Sequence, residues 1–363
     1  MPASVMLDPS AKPSGVNRMF EHRPKFAVLG AGSIGCHLGG SLAAAGADVT
    51  LIGRPAAMEV LREKGLTLSD SVRPPRHLPP GRPAVATTPD AAAEADYVLV
   101  TVKTAATGAA GRELAGHLKP GAVVVSFQNG LHNPATLRAA LPAARVLAGM
   151  VPYNVVQTDP GTVHQGMPGT LMVEDAPEAT TLMRACKEAG LAIEARGDIS
   201  EVQHAKLLMN LNNAVNALSG LPLRTQLAQR PYRLCLALCH QEALAAYRAA
   251  GIRPARLGPA PAWLTPYVLR LPDALFRRVA ASALRIDAHA RSSMWEDLQR
   301  GRPTEIDTLQ GEIVALAERH GLRAPANHRM VDLVREAETA QAGTGKSWTG
   351  PDLLAQLRRA ARP

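Results

Sequence analysis

Residues 25–54 read KFAVLGAGSIGCHLGGSLAAAGADVTLIGR, and this stretch decides the fold. An apolar run leads into Gly30-Ala31-Gly32-Ser33-Ile34-Gly35, an alanine-rich stretch follows as far as Gly46, and a second apolar run ends at Ile52. The pattern G-x-G-x-x-G between a strand and a helix is the fingerprint of a dinucleotide-binding βαβ unit. Its glycines permit a tight turn, a close approach to the pyrophosphate and close packing of helix and strand. We therefore predict that residues 30–35 bind a dinucleotide; a glycine turn without a ligand is the alternative.

The residue after the second strand distinguishes between NAD and NADP. NAD sites usually place an acidic residue there, which accepts hydrogen bonds from the ribose hydroxyls. This chain has Gly53-Arg54-Pro55 instead. A guanidinium at Arg54 could pair with a 2′-phosphate, so we predict a preference for NADP(H). A solvated surface arginine is the alternative.

The order of apolar runs predicts the architecture. Between Lys25 and about Glu194, almost wholly apolar runs alternate with alanine-rich helical stretches, as in a parallel sheet covered on both faces. The predicted strands are Phe26–Leu29, Val49–Ile52, Tyr97–Val102, Val123–Phe127 and Val146–Val151. Residues 162–165 and 170–174 suggest a hairpin that closes this domain. We predict an α/β fold with an N-terminal Rossmann-type, doubly wound parallel sheet.

Beyond about Asp198 the chain reads as helical. One long helix is predicted over Asp198–Leu218, with Asp198 or Ser200 as N-cap, and further helices near 225–250, 273–300, 304–320 and 327–340. The predicted fold therefore ends in an all-α C-terminal domain. The predicted division is a disordered arm at 1–22, an NADP-binding domain at 23–196, a helical substrate and catalytic domain at 197–342, and a C-terminal tail at 343–363. Gly343-Thr344-Gly345-Lys346-Ser347 is similar to a phosphate-binding loop, but its required first glycine is Ala340, so we assign it to the tail.

Composition excludes several classes of protein. The 363 residues are 46% hydrophobic and 20% charged, which is typical of globular domains. The net charge of +9 is spread along the chain and only 3% of residues are aromatic, so we expect anionic small molecules rather than nucleic acid as partners. No run of eighteen apolar residues exists and residues 1–22 lack an apolar signal core, so we expect a cytoplasmic enzyme without membrane contact. The four cysteines are Cys36, Cys186, Cys235 and Cys239. Their spacing predicts free buried thiols and no metal site.

Polar residues follow two of the predicted strands. Lys103 comes after the strand at 97–102, and Asn129 comes after the strand at 123–127. Ligands of open α/β sheets bind beyond the carboxyl ends of strands, so Lys103 could reach cofactor phosphates or ribose and Asn129 the nicotinamide or the substrate. Ordinary turn chemistry is the alternative for each.

Lys206 and Asn210 lie four residues apart and so share one face of a predicted helix whose surroundings are apolar. A buried lysine has a lowered pKa and could donate a proton to a carbonyl oxygen as hydride arrives. A lysine whose amine extends to solvent is the alternative. Ser293 and Glu305 carry no clear signal by themselves.

Together these features make the chain similar to the ketopantoate reductase (2-dehydropantoate 2-reductase) family over residues 25–340. The motifs that carry the resemblance are Gly30–Gly35, Arg54, Val102-Lys103, Gln128-Asn129-Gly130, Pro160-Gly161-Thr162-Val163-His164, Lys206 with Asn210, Ser292-Ser293-Met294 and Arg302-Pro303-Thr304-Glu305-Ile306-Asp307. The resemblance implies reduction of a 2-keto acid by NADPH in a cleft between the two domains.

Roles for individual residues follow from the resemblance. It implies that Lys206 donates the proton, that Asn210 and Ser293 hold the carboxylate and hydroxyl of the substrate, and that Asn129 touches both cofactor and substrate. It implies further that Glu305 links the nicotinamide half to the lysine and that Arg54, Lys103 and the backbone near Val155 contact NADPH.

Three departures leave the substrate open. Asparagines that the family often places near the substrate are replaced by Ala214, by Ala290 and, in the loop after the long helix, by Arg224 or its neighbours. Hydrogen bonds to a substrate hydroxyl are what such a site uses to reject analogues. The hypotheses are therefore a reductase of ketopantoate, a reductase of another branched or aromatic 2-keto acid, and a non-enzymatic NADPH sensor. A homodimer, the role of residues 1–22 and the cellular pathway are also left open.

Overall fold

The computed structural model describes residues 23–258, 260–281, 290–340 and 346–362. The predicted arm at 1–22 lies outside these residues. Within them the chain forms an N-terminal half built on two β-sheets and a C-terminal half built of helices. The strands of the N-terminal half are β1 (Lys25–Leu29), β2 (Asp48–Ile52), β3 (Leu66–Asp70), β4 (Arg76–Leu78), β5 (Ala84–Ala86), β6 (Tyr97–Val100), β7 (Val123–Ser126), β8 (Arg145–Met150), β9 (Val155–Asp159), β10 (Thr162–Gln165), β11 (Leu171–Glu174) and β12 (Ile193–Arg196).

The helices follow the same division. Those of the N-terminal half are α1 (Ser33–Ala44), α2 (Pro55–Lys64), α3 (Thr107–Ala115), α4 (Asn133–Ala140) and α5 (Ala179–Glu188). Those of the C-terminal half are α6 (Ile199–Asn210), α7 (Asn212–Ser219), α8 (Leu223–Leu227), α9 (Arg230–Ala249), α10 (Thr265–Arg270), α11 (Asp273–Val279), α12 (Ser293–Gln299), α13 (Ile306–Arg319), α14 (Pro325–Glu338) and α15 (Gly350–Ala360). No helix among the described residues is long and apolar enough to span a membrane.

The main sheet has eight strands in the order β12-β11-β8-β7-β6-β1-β2-β5. All neighbours are parallel except β11 and β8, which run antiparallel. Alternate residues of β1 serve opposite faces: Phe26 and Val28 pack on the α1 side, and Ala27 and Leu29 pack on the α3 side. Both faces are covered, which is why these strands are apolar at every position. The predicted parallel sheet is confirmed.

Chain order reverses at β1, because β2 lies on one side of it and β6 on the other. Loops at such a switch point diverge and leave a crevice at the carboxyl ends of the strands, where α/β proteins bind ligands. The loop after β1 starts at Gly30 and the loop after β6 contains Lys103. The topology therefore brings these two predicted sites to one edge of the sheet.

The predicted hairpin between residues 162–165 and 170–174 is wrong. β10 pairs with β9 and β3 in a separate four-stranded sheet, in the order β4-β3-β10-β9, which packs against α1. β11 instead joins the main sheet between β8 and β12. Neither β3 nor β9 shows a strong apolar run, so neither was predicted as a strand, although β9 lies directly before β10 in the chain and only β3 is distant.

The C-terminal half differs from the prediction in two places. The predicted long helix is divided at Leu211, whose N–H still contacts the carbonyls of Leu207 and Leu208, so α6 and α7 continue in nearly the same direction. Residues 343–363 are not simply a tail: α15 packs on α9 and α14, and it buries Leu353 and Leu357 completely. Its apolar positions recur at helical spacing and so complete the core of the helical half. Ser347, at the end of the loop-like sequence at 343–347, lies beside Gly220, and the rest of that sequence except Lys346 is outside the described residues.

Candidate active site

The glycine-rich loop has the geometry that a dinucleotide requires. Gly30 has φ +105°, and a Cβ at this position would lie 2.6 Å from the backbone nitrogen of Val102. A Cβ at Gly35 would collide with the carbonyl of Gly30 and lie 2.7 Å from Thr101 Oγ1. Gly32 is exposed and a Cβ there would meet no protein atom closer than 3.9 Å. Packing therefore explains Gly30 and Gly35, whereas the open space at Gly32 is consistent with the close approach of a ligand to the backbone that this motif allows.

The start of α1 is open to an anion. The helix begins at Ser33 after Gly32, and no side chain caps it. Uncapped N–H groups at a helix N-terminus bind phosphates, and the helix dipole adds to this attraction. Within the loop, Ala31 is buried, and Ser33 and Ile34 are partly buried. The residues present therefore fit the pyrophosphate of a dinucleotide.

Arg54 lies close to the glycine-rich loop. It precedes the first residue of α2, its side chain is exposed, and it has no ion pair or side-chain hydrogen bond among the residues described. The adjacent Gly53 contacts the glycine-rich loop, because a Cβ there would lie 3.0 Å from the Cβ of Ala31. Arg54 therefore directly follows a residue that borders the glycine-rich loop, and its guanidinium is exposed.

Lys103 does not point to the glycine-rich loop. Its Nζ lies 2.7 Å from Asp297 Oδ1 on α12 and donates a hydrogen bond to the carbonyl of Pro303 at 2.8 Å. Burial raises the pKa of the Asp297 carboxyl, and the lysine opposes that shift. Lys103 therefore joins the sheet half to the helical half, with one of its three N–H groups still available.

Glu305 forms a second junction between the halves. Its Oε1 accepts hydrogen bonds from the backbone N–H and the hydroxyl of Thr104, each at 3.2 Å. Its Oε2 accepts a hydrogen bond from Asn129 Nδ2 at 3.2 Å. Asn129 is in turn held by Asn133, whose Nδ2 donates to the Asn129 carbonyl at 2.5 Å. The structure thus brings together Glu305 and Asn129, which are 176 residues apart in the chain.

The chain of contacts continues to the lysine of α6. Asn210 Nδ2 donates to Asn129 Oδ1 at 3.2 Å, and Lys206 lies one helical turn before Asn210. Lys206 has no hydrogen-bond or ion-pair partner within the described parts of the chain. Burial lowers the pKa of its amine to about 8. An amine in this environment can give up its proton far more easily than an ordinary lysine.

Two further predicted residues form no side-chain hydrogen bond with this network among the side chains that the structure describes, and their roles stay predictions. Ser293 begins α12 and its side chain is exposed, whereas the neighbouring Ser292 caps this helix and donates to the carbonyl of Asn213. Val155 is buried in the core that the small sheet shares with α1. The contact of Val155 with a cofactor stays a prediction.

Three further residues organise the site and were not found from the sequence. Thr101 donates to the carbonyl of Gly30 at 2.7 Å, Thr104 binds Glu305, and Asp297 binds Lys103. The sequence could have indicated Asp297 as a site residue, because it lies one turn after Ser293 on the same face of α12. The threonines had none, since they bond to partners that are remote in sequence. Within the described residues no group of three or more His, Cys, Asp or Glu side chains could hold a metal ion.

A Rossmann sheet, a glycine loop with an uncapped helix start, and a lysine of lowered pKa without a partner among the described residues are the features of an oxidoreductase that depends on a nicotinamide dinucleotide. The family described as "Ketopantoate reductase PanE/ApbA" matches residues 26–178, and its C-terminal part, "Ketopantoate reductase PanE/ApbA C terminal", matches residues 198–338. The chain belongs to the ketopantoate reductase family, as the sequence motifs indicated.

Individual relatives agree with this assignment. The chain is 30% identical over 319 residues to a 2-dehydropantoate 2-reductase of Halobacterium salinarum, covering 86% of this chain and 98% of the relative. A crystal structure of a PanE/ApbA family ketopantoate reductase from Ralstonia eutropha JMP134 has a TM-score of 0.74 at 30% identity, covering 86% of this chain and 98% of that one. The fold is also shared with a ternary structure of D-mandelate dehydrogenase with NADH and anilino(oxo)acetate, with a TM-score of 0.72 at 18% identity and with coverage of 86% and 98%.

Proposed function

We propose that this protein reduces 2-dehydropantoate (ketopantoate) to pantoate with NADPH, the reduction that leads towards pantothenate and coenzyme A. The observation that carries the proposal is the convergence of Lys206, Asn210, Asn129 and Glu305 from both halves of the chain. A non-enzymatic NADPH sensor needs no unpaired lysine at this position.

The chemistry follows from the residues. When bound, NADPH supplies the hydride. Lys206 polarises the carbonyl oxygen of the substrate and donates the proton that the developing alkoxide requires. Asn129 and Glu305 keep Asn210 in place through their hydrogen bonds, and Asn210 and Ser293 hold polar groups of the substrate.

The preference for NADPH over NADH rests on Arg54. The guanidinium is exposed and has no protein partner among the described residues, so it can bind a 2′-phosphate bidentately without breaking an existing contact. We assign Lys103, whose amine lies against Asp297 and Pro303 of the helical half, to the cofactor as well, and we assign the backbone near Val155 to the nicotinamide half. Ser33 and Ile34 contribute N–H groups to the pyrophosphate.

The test is NADPH oxidation by the purified protein with ketopantoate, beside bulky 2-keto acids, repeated with NADH. We expect rapid turnover with NADPH and ketopantoate. Absence of turnover with every keto acid, despite dinucleotide binding, would overturn the proposal in favour of a sensor.

A second candidate is the reduction of another branched or aromatic 2-keto acid. It is favoured by Ala214 and Ala290, since apolar residues at these positions cannot offer hydrogen bonds to a hydroxyl group of the substrate. Good turnover of a bulky keto acid beside poor turnover of ketopantoate would select this candidate.

Two properties outside the site complete the proposal. The four cysteines are free and buried, which suits the reducing cytoplasm. Exposed apolar side chains on α10, α11 and the turn before them would suit a homodimer. They are Trp263, Tyr267, Leu275 and Val279. Light scattering of the purified protein would test this.

A further inference from the structure

The helix pair α6–α7 carries a third polar residue on the face of Lys206 and Asn210. Asn213 follows Asn210 by three residues, and the backbone stays helical through Leu211. Residues at spacings of four and three lie on one face, so Lys206, Asn210 and Asn213 form a single stripe. With a rise of about 1.5 Å per residue, Asn213 lies roughly 10 Å beyond Lys206 along the axis. The stripe thus runs from the proton donor to the far end of the site.

The side chain of Asn213 is partly buried and has no hydrogen-bond partner among the residues that the structure describes. The neighbouring asparagines Asn212 and Asn216 form hydrogen bonds with other parts of the protein. Asn212 exchanges hydrogen bonds with Gln226, and Asn216 binds the carbonyl of Leu221 and the N–H of Ser292. A half-buried amide without a partner is available to a ligand.

Asn213 also borders the start of α12. Its carbonyl accepts a hydrogen bond from Ser292 Oγ at 3.1 Å, so the exposed Ser293 comes next to it. The charged Arg291 nearby is occupied, because it donates to the carbonyl of Gly220 and stacks on Trp295. At this end of the site Asn213 therefore offers a neutral side-chain amide that no other described residue engages.

We propose that Asn213 is a specificity-determining residue that binds a hydroxyl group on the tail of the keto acid. This inference rests on the proposed function. In a 2-keto acid the carboxylate is bonded to the carbonyl carbon, so it stays near Lys206 and Asn210, and Asn213 meets the opposite end. An amide both donates and accepts, which matches a hydroxyl group, whereas a second carboxylate would call for a cation. Asn213 thus takes over a contact that the small side chain of Ala214 cannot make.

The experiment compares ketopantoate with trimethylpyruvate, its analogue in which a methyl group replaces the hydroxymethyl group. We expect the protein to prefer ketopantoate by kcat/KM. The Asn213→Ala variant should raise the KM for ketopantoate roughly five- to tenfold, leave the KM for trimethylpyruvate and for NADPH unchanged, and so reduce the preference. Alanine is a better helix former than asparagine, so the variant folds.

The matched control is Asn212→Ala, an asparagine of the same helix that faces Gln226. It costs stability, because Gln226 loses its partners, but it leaves the ratio of the two substrates unchanged. Equal losses on both keto acids in Asn213→Ala would overturn the role of Asn213 while the proposed function stands. Absence of turnover of either acid by the unmodified protein would overturn both.

Discussion

The amine of Lys103 lies 2.7 Å from the carboxylate of Asp297 and thereby joins the loop after β6 to α12. This ion pair spans the crevice at the switch point of the sheet, beside Glu305 and its bonds to Thr104 and Asn129. Two junctions therefore flank the site. In both, the helical half supplies the carboxylate: Asp297 binds a lysine of the sheet half, and Glu305 accepts hydrogen bonds from neutral groups of the sheet half.

The ion pair predicts opposite effects of its two members on cofactor affinity. Asp297→Asn removes a negative charge and releases Lys103, so we expect the Kd for NADPH to fall severalfold. Lys103→Ala should raise this Kd severalfold, because the cleft loses a cation and the carboxylate of Asp297 loses its partner. Quenching of protein fluorescence by NADPH measures both. A rise of the Kd in both variants would show that the bridge itself supports binding.

Replacement of the unpaired lysine should abolish the chemistry and leave cofactor binding intact. We expect Lys206→Ala to lower kcat by about 10²- to 10⁴-fold, the usual contribution of a positioned general acid. The Kd for NADPH should change little. Lys187→Ala, at an exposed lysine on α5, is the control. Near-normal turnover of Lys206→Ala would remove this residue from the mechanism.

The same lysine predicts how activity depends on pH. Burial lowers the pKa of Lys206 to about 8. The amine donates a proton only below that value, so kcat/KM for keto-acid reduction should fall as the pH rises through about 8. Oxidation of the hydroxy acid needs the neutral amine and should increase over the same interval. Initial rates in both directions between pH 6 and pH 10 measure this (roughly two units on either side of the pKa); two flat profiles would contradict it.

Arg54 should affect one cofactor only. Loss of a charge-assisted bidentate contact is expected to raise the KM for NADPH roughly ten- to hundredfold in Arg54→Ala, with little change for NADH. Stability should be unaffected, because the side chain is exposed and has no partner among the described residues. The control is Arg62→Ala, an exposed arginine on the same helix. Equal changes for both cofactors would contradict the assignment of Arg54 to the 2′-phosphate.

The last helix should be essential for stability. Leu357 on α15 is fully buried in the core of the helical half. Leu357→Ala should lower the free energy of unfolding by about 2–5 kcal/mol, the range for cavity-forming leucine replacements. Urea denaturation measures the change, with Arg359→Ala on the exposed face of α15 as the control. A loss no larger than that of the control would mean that α15 does not contribute to this core.

The sequence predicted the parts of the fold that depend on local patterns. Each of the five predicted strands is present, with ends that differ by up to two residues, because strands buried on both faces must be apolar throughout. The pairing of β10 and β11 was wrong, because β10 pairs with β9 and β3 in the small sheet, whereas β11 lies between β8 and β12 in the main sheet. The helix α15 was not predicted, because its buried leucines pack in a core formed by helices that are distant in the chain.

At the candidate site, too, some features followed from the sequence and others from the tertiary structure. The sequence alone predicted the glycine-rich turn between β1 and α1, since the packing around residues 30 and 35 leaves no room for a side chain. It also placed Lys206 and Asn210 on one helical face, because the helix has a fixed period. Only the tertiary structure decided that Lys103 binds Asp297 and that Glu305 reaches Asn129 across 176 residues. Hydrogen bonds and charge pairs depend on distances of about 3 Å between atoms, and such distances exist only once the two halves have packed together.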